Sequence, residues 1–518
     1  MAERTLSVST KSGISAAVLI VALILIALAA VASKTDTTTA LRSSDWAAVR
    51  FTLWQSFLSA AISTLLSVPI ARALARRRFM GRTMLITLLG APFILPIIVA
   101  VMGLLIIFGR NGWVNATLDF LGLPSFSIYG LHGVVLAHVF FNLPLATRLL
   151  LQSWQSVPAE RFRLAAQVRL TPWAFFRVVE WPILKQTLPG VAALIFVICL
   201  TSFAVALTRG GGPKATTVEL AIYQAFRFDF DLGRAALLSL IQLIVAGTAA
   251  LLALWIIPAG LANAGQDRPV ERWDTRGAIK GLLDGAAITL AAAFLLLPLI
   301  AILLRGVPGV WQMPTTVWQA AGSTLMVAFF SVLVMLALAL PLAGWIASRR
   351  FGGVEAVGLV GLAASPLMIG TGWFIVINPM ANPAGFALPV TALTNALMAL
   401  PFCLRILVPQ MKQTLQDFGR LSQTIGWRGA ALWRWLIFPR LRSQLGFACG
   451  LTTALSVGDL GVIALFADTD RTTLPLQMYR LMGAYQMEAA AGTALLLLIL
   501  ALSLFWICDT LGRWHVTD

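Results

Sequence analysis

Charge is scarce in this chain: 11% of its 518 residues are Asp, Glu, Lys or Arg, against 59% hydrophobic. Mean hydropathy is +0.87. An ordinary soluble domain has about a quarter of its residues charged, so a water-soluble globule is excluded. Cysteine and histidine are nearly as rare, at four and three residues. Cys199, Cys403, Cys449 and Cys508 lie far apart inside apolar runs, with no C-x-x-C spacing. That excludes a zinc ribbon and a disulfide framework, and no metal site is expected. The histidines lack metal-ligand spacing as well; His138, inside an apolar run, reads as a helix-to-helix hydrogen-bonding residue. Acid is the scarcer charge, 21 residues against 38 Lys and Arg, for a formal net charge of +17. In a soluble protein that excess would suggest nucleic acid. Here it fixes orientation in a membrane, and no nucleic-acid partner is expected.

Long apolar runs fill the chain instead. A membrane-crossing helix needs about 20 such residues, and twelve runs qualify: 14–33, 51–72, 84–108, 130–148, 190–208, 235–262, 282–304, 323–347, 356–378, 388–405, 443–466 and 490–511. The fold class expected is an all-α polytopic membrane protein of about 12 transmembrane helices. The first run, preceded by Arg4 and Lys11, exceeds the 7–15-residue core of a secretory signal and is read as a retained span. With the N-terminus inside, most of the Lys and Arg fall on inner segments, which places both termini in the cytoplasm.

The two halves repeat. Pro69-Ile70-Ala71, Arg77-Arg78-Phe79 and Gly81 return as Pro341-Leu342-Ala343, Arg349-Arg350-Phe351 and Gly353. Thr52-Leu53 returns as Thr324-Leu325, Pro144 and Arg148 as Pro401 and Arg405, and Thr216-Thr217 with Tyr223 as Thr472-Thr473 with Tyr479. The spacing predicts two parallel six-helix repeats. Residues 1–49 hold the first span and an outer loop, 50–262 the first repeated unit, and 263–281 a polar linker facing the cytoplasm. The seventh span and an outer loop occupy 282–317, and the second unit 318–511.

The closest repetition lies between the fourth and fifth spans of each half, in a stretch of about forty residues where two helices need only two to eight. The first copy carries Arg163-Leu164-Ala165-Ala166, then Phe176-Arg177, then Glu180-Trp181-Pro182. The second carries Arg420-Leu421-Ser422, then Gly426, Trp433-Arg434 and Ile437-Phe438-Pro439. Its mixture of apolar and basic residues predicts a short helix lying on a surface. Pro172 interrupts the first copy and Pro182 starts the next span; Gly426 and Gly429 bend the second. Two matched inward-facing segments make two equivalent docking sites for a soluble partner, with Phe176 and Trp433 as bulky contact residues.

This pattern resembles the loop motif of binding-protein-dependent ABC permeases: Glu-Ala-Ala, three residues, Gly, then a distal Leu-Pro. Gly426 takes the family glycine's place thirteen residues before Pro439, Arg169 takes it in the first copy, and Arg163 and Arg420 replace the acid. Longer strings, among them Leu136-Ala137-His138-Val139-Phe140-Phe141-Asn142-Leu143-Pro144, Val179-Glu180-Trp181-Pro182 and Gly458-Asp459-Leu460-Gly461-Val462, are similar to the fused, two-domain permeases of thiamine or thiamine pyrophosphate importers. The resemblance implies the type I ABC importer transmembrane fold in a bacterial inner membrane, with 50–262 and 318–511 as the two type-1 permease domains. It also implies two copies of a cytoplasmic ABC ATPase on the repeated segments, and a periplasmic binding protein that delivers thiamine or its phosphates. ATP and Mg would be used by that ATPase, with no cofactor bound by this chain and lipid around it. Related fused permeases carry ferric iron, which stands as the alternative cargo.

Other motifs point away from catalysis. Gly210-Gly211-Gly212-Pro213-Lys214-Ala215-Thr216 lacks the G-x-x-x-x-G-K-[ST] order of a phosphate loop and reads as an outer turn. No nucleophile–base–acid arrangement emerges, so no enzyme is expected. Asp459, flanked by Gly458 and Gly461, and Glu219, just beyond the outer turn, are candidates for a translocation path, because a charge in lipid is costly. Asp459 fits either a contact to a cationic cargo or a structural hydrogen bond, and Glu219 either water or the pore. Prolines 92, 96, 144, 366 and 401 predict kinks. An ion-coupled carrier built of two parallel six-span halves is the rival architecture, but it leaves the forty-residue segments unexplained.

Overall fold

Backbone polar groups in lipid must be satisfied within the segment that carries them, so apolar runs of this length fold as helices. A computed structural model describes residues 7–34, 41–90, 94–125, 127–210, 212, 215–256, 277–348, 365–427, 429–466 and 471–513. Among them are helices and turns only, and 11 helices are long and apolar enough to cross a membrane. The linker expected at 263–281 lies outside the described residues up to 276, as does the Arg349-Arg350-Phe351 repeat.

In chain order the helices of the first half are α1 (Ser7–Lys34), α2 (Ser43–Arg76), α3 (Arg82–Leu88), α4 (Ile97–Phe108), α5 (Trp113–Phe120), α6 (Leu131–Gln155), α7 (Ala159–Gln167), α8 (Pro172–Phe175), α9 (Trp181–Leu200), α10 (Phe203–Arg209), α11 (Val218–Arg227) and α12 (Leu232–Ile256). The second half has α13 (Ala278–Gly309), α14 (Thr315–Ser348), α15 (Pro366–Ile377), α16 (Ala387–Thr424), α17 (Ala430–Leu432), α18 (Phe438–Val457), α19 (Gly461–Phe466), α20 (Leu474–Gly483) and α21 (Met487–Arg513).

Several expected spans differ from these helices, each for a physical reason. The run 84–108 is not one helix: it breaks between α3 and α4, where Pro96 cannot donate a backbone hydrogen bond and sits as the N-cap of α4. The fifth span starts at Pro172 and ends at Leu200, and the eleventh is interrupted after Val457. Of the ninth, only the short α15 is described. The tenth outruns its apolar stretch: α16 continues for 38 residues to Thr424 and absorbs the start of the second repeated segment.

Each half packs in the same way. α2 lies against α6 and α9, and α14 against α16 and α18. Thr52 Oγ1 accepts from the Val218 N–H at 2.9 Å and Thr324 Oγ1 from the Leu474 N–H at 2.8 Å, so the same threonine tethers the start of α11 and of α20. The first helix of each half crosses over. α1 packs on α14, α15 and α12, while α13 packs on α21, α4 and α2. Ala16, Ile20, Ile24, Ala27 and Val31, three or four residues apart, form the buried stripe of α1. Gly372 on α15 admits α1 closely, since a Cβ there would overlap the Ala27 carbonyl oxygen. Small residues serve this close approach in lipid, where hydrophobicity drives no helix pairing.

Candidate functional site

Three helix interruptions and the start of α15 meet at the centre of the bundle. The interruptions are Leu95–Pro96 ahead of α4, Thr201–Ser202 between α9 and α10, and Gly458-Asp459-Leu460 between α18 and α19, and Ser365 stands at the N-cap of α15. Ser202 and Asp459 stand at the same offset as Pro182 and Pro439, so they are equivalent positions of the two halves. At two of these helix starts a local side chain satisfies a freed backbone group. Ser365 Oγ accepts from the Leu367 N–H at 3.2 Å. Asp459 Oδ1 accepts from the Gly461 N–H at 3.1 Å, which opens α19 as an Asx cap.

The breaks enclose a cavity of about 220 Å³. Glu219 and Asp459, separated by most of the second half in sequence, both line it, and among the described residues no Lys, Arg or His does. The structure therefore brings Glu219 to the cavity and places Asp459 at a helix break inside its span, Ala430–Phe466. Glu219 is fully buried, with the Ser365 hydroxyl and the Gln242 side chain beside its carboxylate, and among the described residues Asp459 Oδ2 has no hydrogen-bond partner. The walls are otherwise largely apolar and aromatic, with Phe203, Phe402 and Met398, plus Thr201, Ser202 and the amide of Asn395. Such a site favours an organic cation that offers both a positive centre and an apolar face.

Asn395 escaped the sequence reading, although the repeat pointed to it: it is the equivalent of His138. His138 Nδ1 lies 3.3 Å from Ser59 Oγ, the interhelical hydrogen bond expected of it. Asn395 Nδ2 donates to Ser456 Oγ at 3.1 Å, and Ser456 Oγ lies 2.9 Å from Ser331 Oγ, the equivalent of Ser59. These polar chains pin α6 to α2, and α16 and α18 to α14, behind the cavity.

At one end of the bundle lie the repeated segments. In α7, Arg163, Leu164 and Ala166 are exposed while Ala165 is buried. Phe162 and Phe175 hold α7 down, with ring centroids 5.6 Å apart. Arg169 has φ +53°, after which Thr171 Oγ1 caps α8 through the Ala174 N–H at 3.2 Å. Phe176–Glu180 is a π turn, and a second π turn spans Trp433–Ile437. The wider turn in each copy precedes a proline, Pro182 or Pro439, whose missing N–H removes one α-helical bond. Pro182 thus sits inside the continuous span Pro172–Leu200 rather than opening it.

In the second copy, Arg420 and Leu421 are exposed on the last turns of α16 and Ser422 is buried, matching Ala165. Gly426 and Gly429 take φ +81° and +53°. Arg177, Arg434, Pro182 and Pro439 are exposed. Phe176 and Trp433 are half-buried: Phe176 stacks on Trp173 at 5.7 Å beneath the Arg72 guanidinium, and Trp433 packs against Phe438 at 5.5 Å. Both belong to the support of the segment rather than its outer face. That face carries Leu164 and Val168 in one copy and Leu421 and Ile425 in the other, each more than half exposed. In the sequence, their i, i+4 spacing from the leucines marks Val168 and Ile425 as members of this face.

The copies differ beneath this face. Glu180, buried in the first π turn, accepts from Arg72 Nε at 2.8 Å and lies 4.0 Å from Arg76. Asp284 on α13 pairs with Arg77 at 2.8 Å and Arg76 at 4.0 Å. Gly344 and Ile437 occupy the places of Arg72 and Glu180 in the second half.

No family model matches the chain. Its similarity to curated proteins runs nearly end to end. The thiamine transport system permease protein ThiP of Salmonella typhimurium (strain LT2) is 41% identical over 492 residues, covering 91% of this chain and 90% of its own length. The protein of the same name from Escherichia coli (strain K12) is 39% identical over 529 residues, covering 98% and 97%. That of Brucella abortus (strain 2308) is 37% identical over 475 residues, covering 90% and 87%.

Proposed function

The chain belongs to the ThiP family of thiamine transport system permeases, and from that premise we infer that it is the membrane-spanning permease subunit of an ABC importer of thiamine. The repeated segments are where two copies of a cytoplasmic ABC ATPase dock, which sets that end and both termini in the cytoplasm of a bacterial inner membrane. A periplasmic binding protein delivers cargo to the opposite end. The chain binds no cofactor and performs no covalent chemistry; the partner ATPase uses ATP and Mg. Hydrolysis there moves the two segments, each rigidly continuous with a helix that ends at the cavity (α9 through the first π turn, α18 through the second), and so changes which side the cavity faces.

One observation carries the assignment of the path: two carboxylates converge on a central cavity that has no Lys, Arg or His among its described lining residues. Thiamine has a fixed positive charge beside a flat aromatic ring, and Glu219, Asp459, Phe203 and Phe402 answer to both features. The Asp459→Asn variant isolates the charge, because Asn keeps the oxygen that caps α19. In vesicles reconstituted with the ATPase and the binding protein, uptake by this variant falls about tenfold, a loss of ~1.4 kcal/mol, while the protein assembles normally. Uptake at the parent rate would return Asp459 to a purely structural cap. Uptake that persists without ATP would remove the importer reading altogether.

A further inference from the structure

We propose that the groove between α3 and the first turns of α13 is a binding site for one anionic phospholipid. The groove encloses about 590 Å³ between the end of α2, α3 and α13. Arg77 and Arg78 form one rim; Met84 and Leu88 of α3 face Ile288 and Leu296 of α13 along the rest. Gly281 and Gly285, one turn apart, line the α13 side. A Cβ at Gly285 would meet nothing within 4 Å, so the space beside it is open.

Its position defines the occupant. Arg77 pairs with Asp284, and Asp284 also meets Arg76, which reaches Glu180 in the first π turn. The basic rim therefore lies at the end of the bundle that carries the repeated segments. The apolar walls run from that rim along α13, whose neighbouring Leu282, Leu283 and Leu290 are each more than 60% exposed, as a lipid-facing helix requires. A cationic rim above an apolar trough, open sideways to the bilayer, complements a negative phosphate headgroup above an acyl chain. Arginine adds directed hydrogen bonds to phosphate oxygens. Arg78 is exposed and Arg77 half-buried on the same rim, so Arg78 is the more accessible of the two to a headgroup.

The test uses the full chain in nanodiscs of mixed phosphatidylethanolamine and phosphatidylglycerol, with retained lipid counted by native mass spectrometry after transfer to detergent. Phosphatidylglycerol is expected in excess over its share of the bilayer. Arg78→Gln should cut that excess about fivefold, the worth of one basic residue at an anionic surface. Gly285→Leu, which fills the trough, should lower retention of both lipids. Retained lipid in the bilayer ratio, or an excess unchanged in both variants, would overturn the proposal. So would displacement of the lipid by inorganic phosphate alone, which would leave only an anion site.

Discussion

Arg169 and Gly426 hold equivalent places in the two repeated segments and share a left-handed backbone, with φ +53° and +81°. Glycine adopts that region freely, whereas an L-residue with a Cβ loses about 1–2 kcal/mol there. Arg169→Gly should therefore stabilise the first segment by about 1 kcal/mol, and Gly426→Arg should destabilise the second by a similar amount. Amide hydrogen exchange across 159–175 and 416–432 would read both, as slower exchange in the first variant and faster in the second. The glycine was legible in the sequence, and the strained arginine only through the repeat that aligns it. Glu219 and Asp459 were legible singly, because a carboxylate beside an apolar run stands out. Their convergence was not, since nothing local connects α11 to the break before α19.

At the scale of elements, the two segments present matching outer faces on unequal supports. Replacing Leu164 and Val168 together by Asp should weaken ATPase association by tenfold or more, as should the same change at Leu421 and Ile425, because central apolar contacts dominate such interfaces. Co-purification of the ATPase at undiminished yield would count against both sites. The support differs in charge. Glu180→Gln removes the counter-charge of Arg72 and one of those facing Arg76 inside the first π turn, and breaking one side of a buried pair costs about 3 kcal/mol. A lower thermal unfolding midpoint should report that loss. Because a buried pair exchanged for apolar groups is often neutral, the double change Arg72→Gly with Glu180→Ile, which installs the second half's own residues, should recover most of it. Boundaries of these elements were harder to read than their existence. The break before α4 follows from its prolines, yet α16 gave no sign of reaching Thr424. Hydropathy marks where a helix leaves lipid, and no proline or glycine between Pro409 and Gly419 marks where it stops.

Across the whole molecule, the repeat announced two halves, and the exchange of their first helices stayed hidden. α1 and α13 carry none of the repeated motifs, and their partners are a matter of tertiary packing, so 1–49 and 282–317 read as flanking pieces outside the two repeated units. In the structure α1 packs chiefly on α14 and α15 of the opposite half, and α13 sits between α21 of its own half and α4 and α2 of the other. The covalent link between halves is then secondary to their interlock. Expressed as two chains divided within 263–281, the protein should assemble, and a tag on one fragment should recover the other. Removing α1 from the first fragment should lower that recovery sharply. Its stripe of Ala16, Ile20, Ile24, Ala27 and Val31 fills the face made by α14, α15 and α12, and helix pairing in lipid depends on such close packing. If the fragments recovered one another equally well without α1, the crossover would contribute little to assembly, and the central contacts of α4, α10 and α19 around the cavity would have to hold the halves together instead.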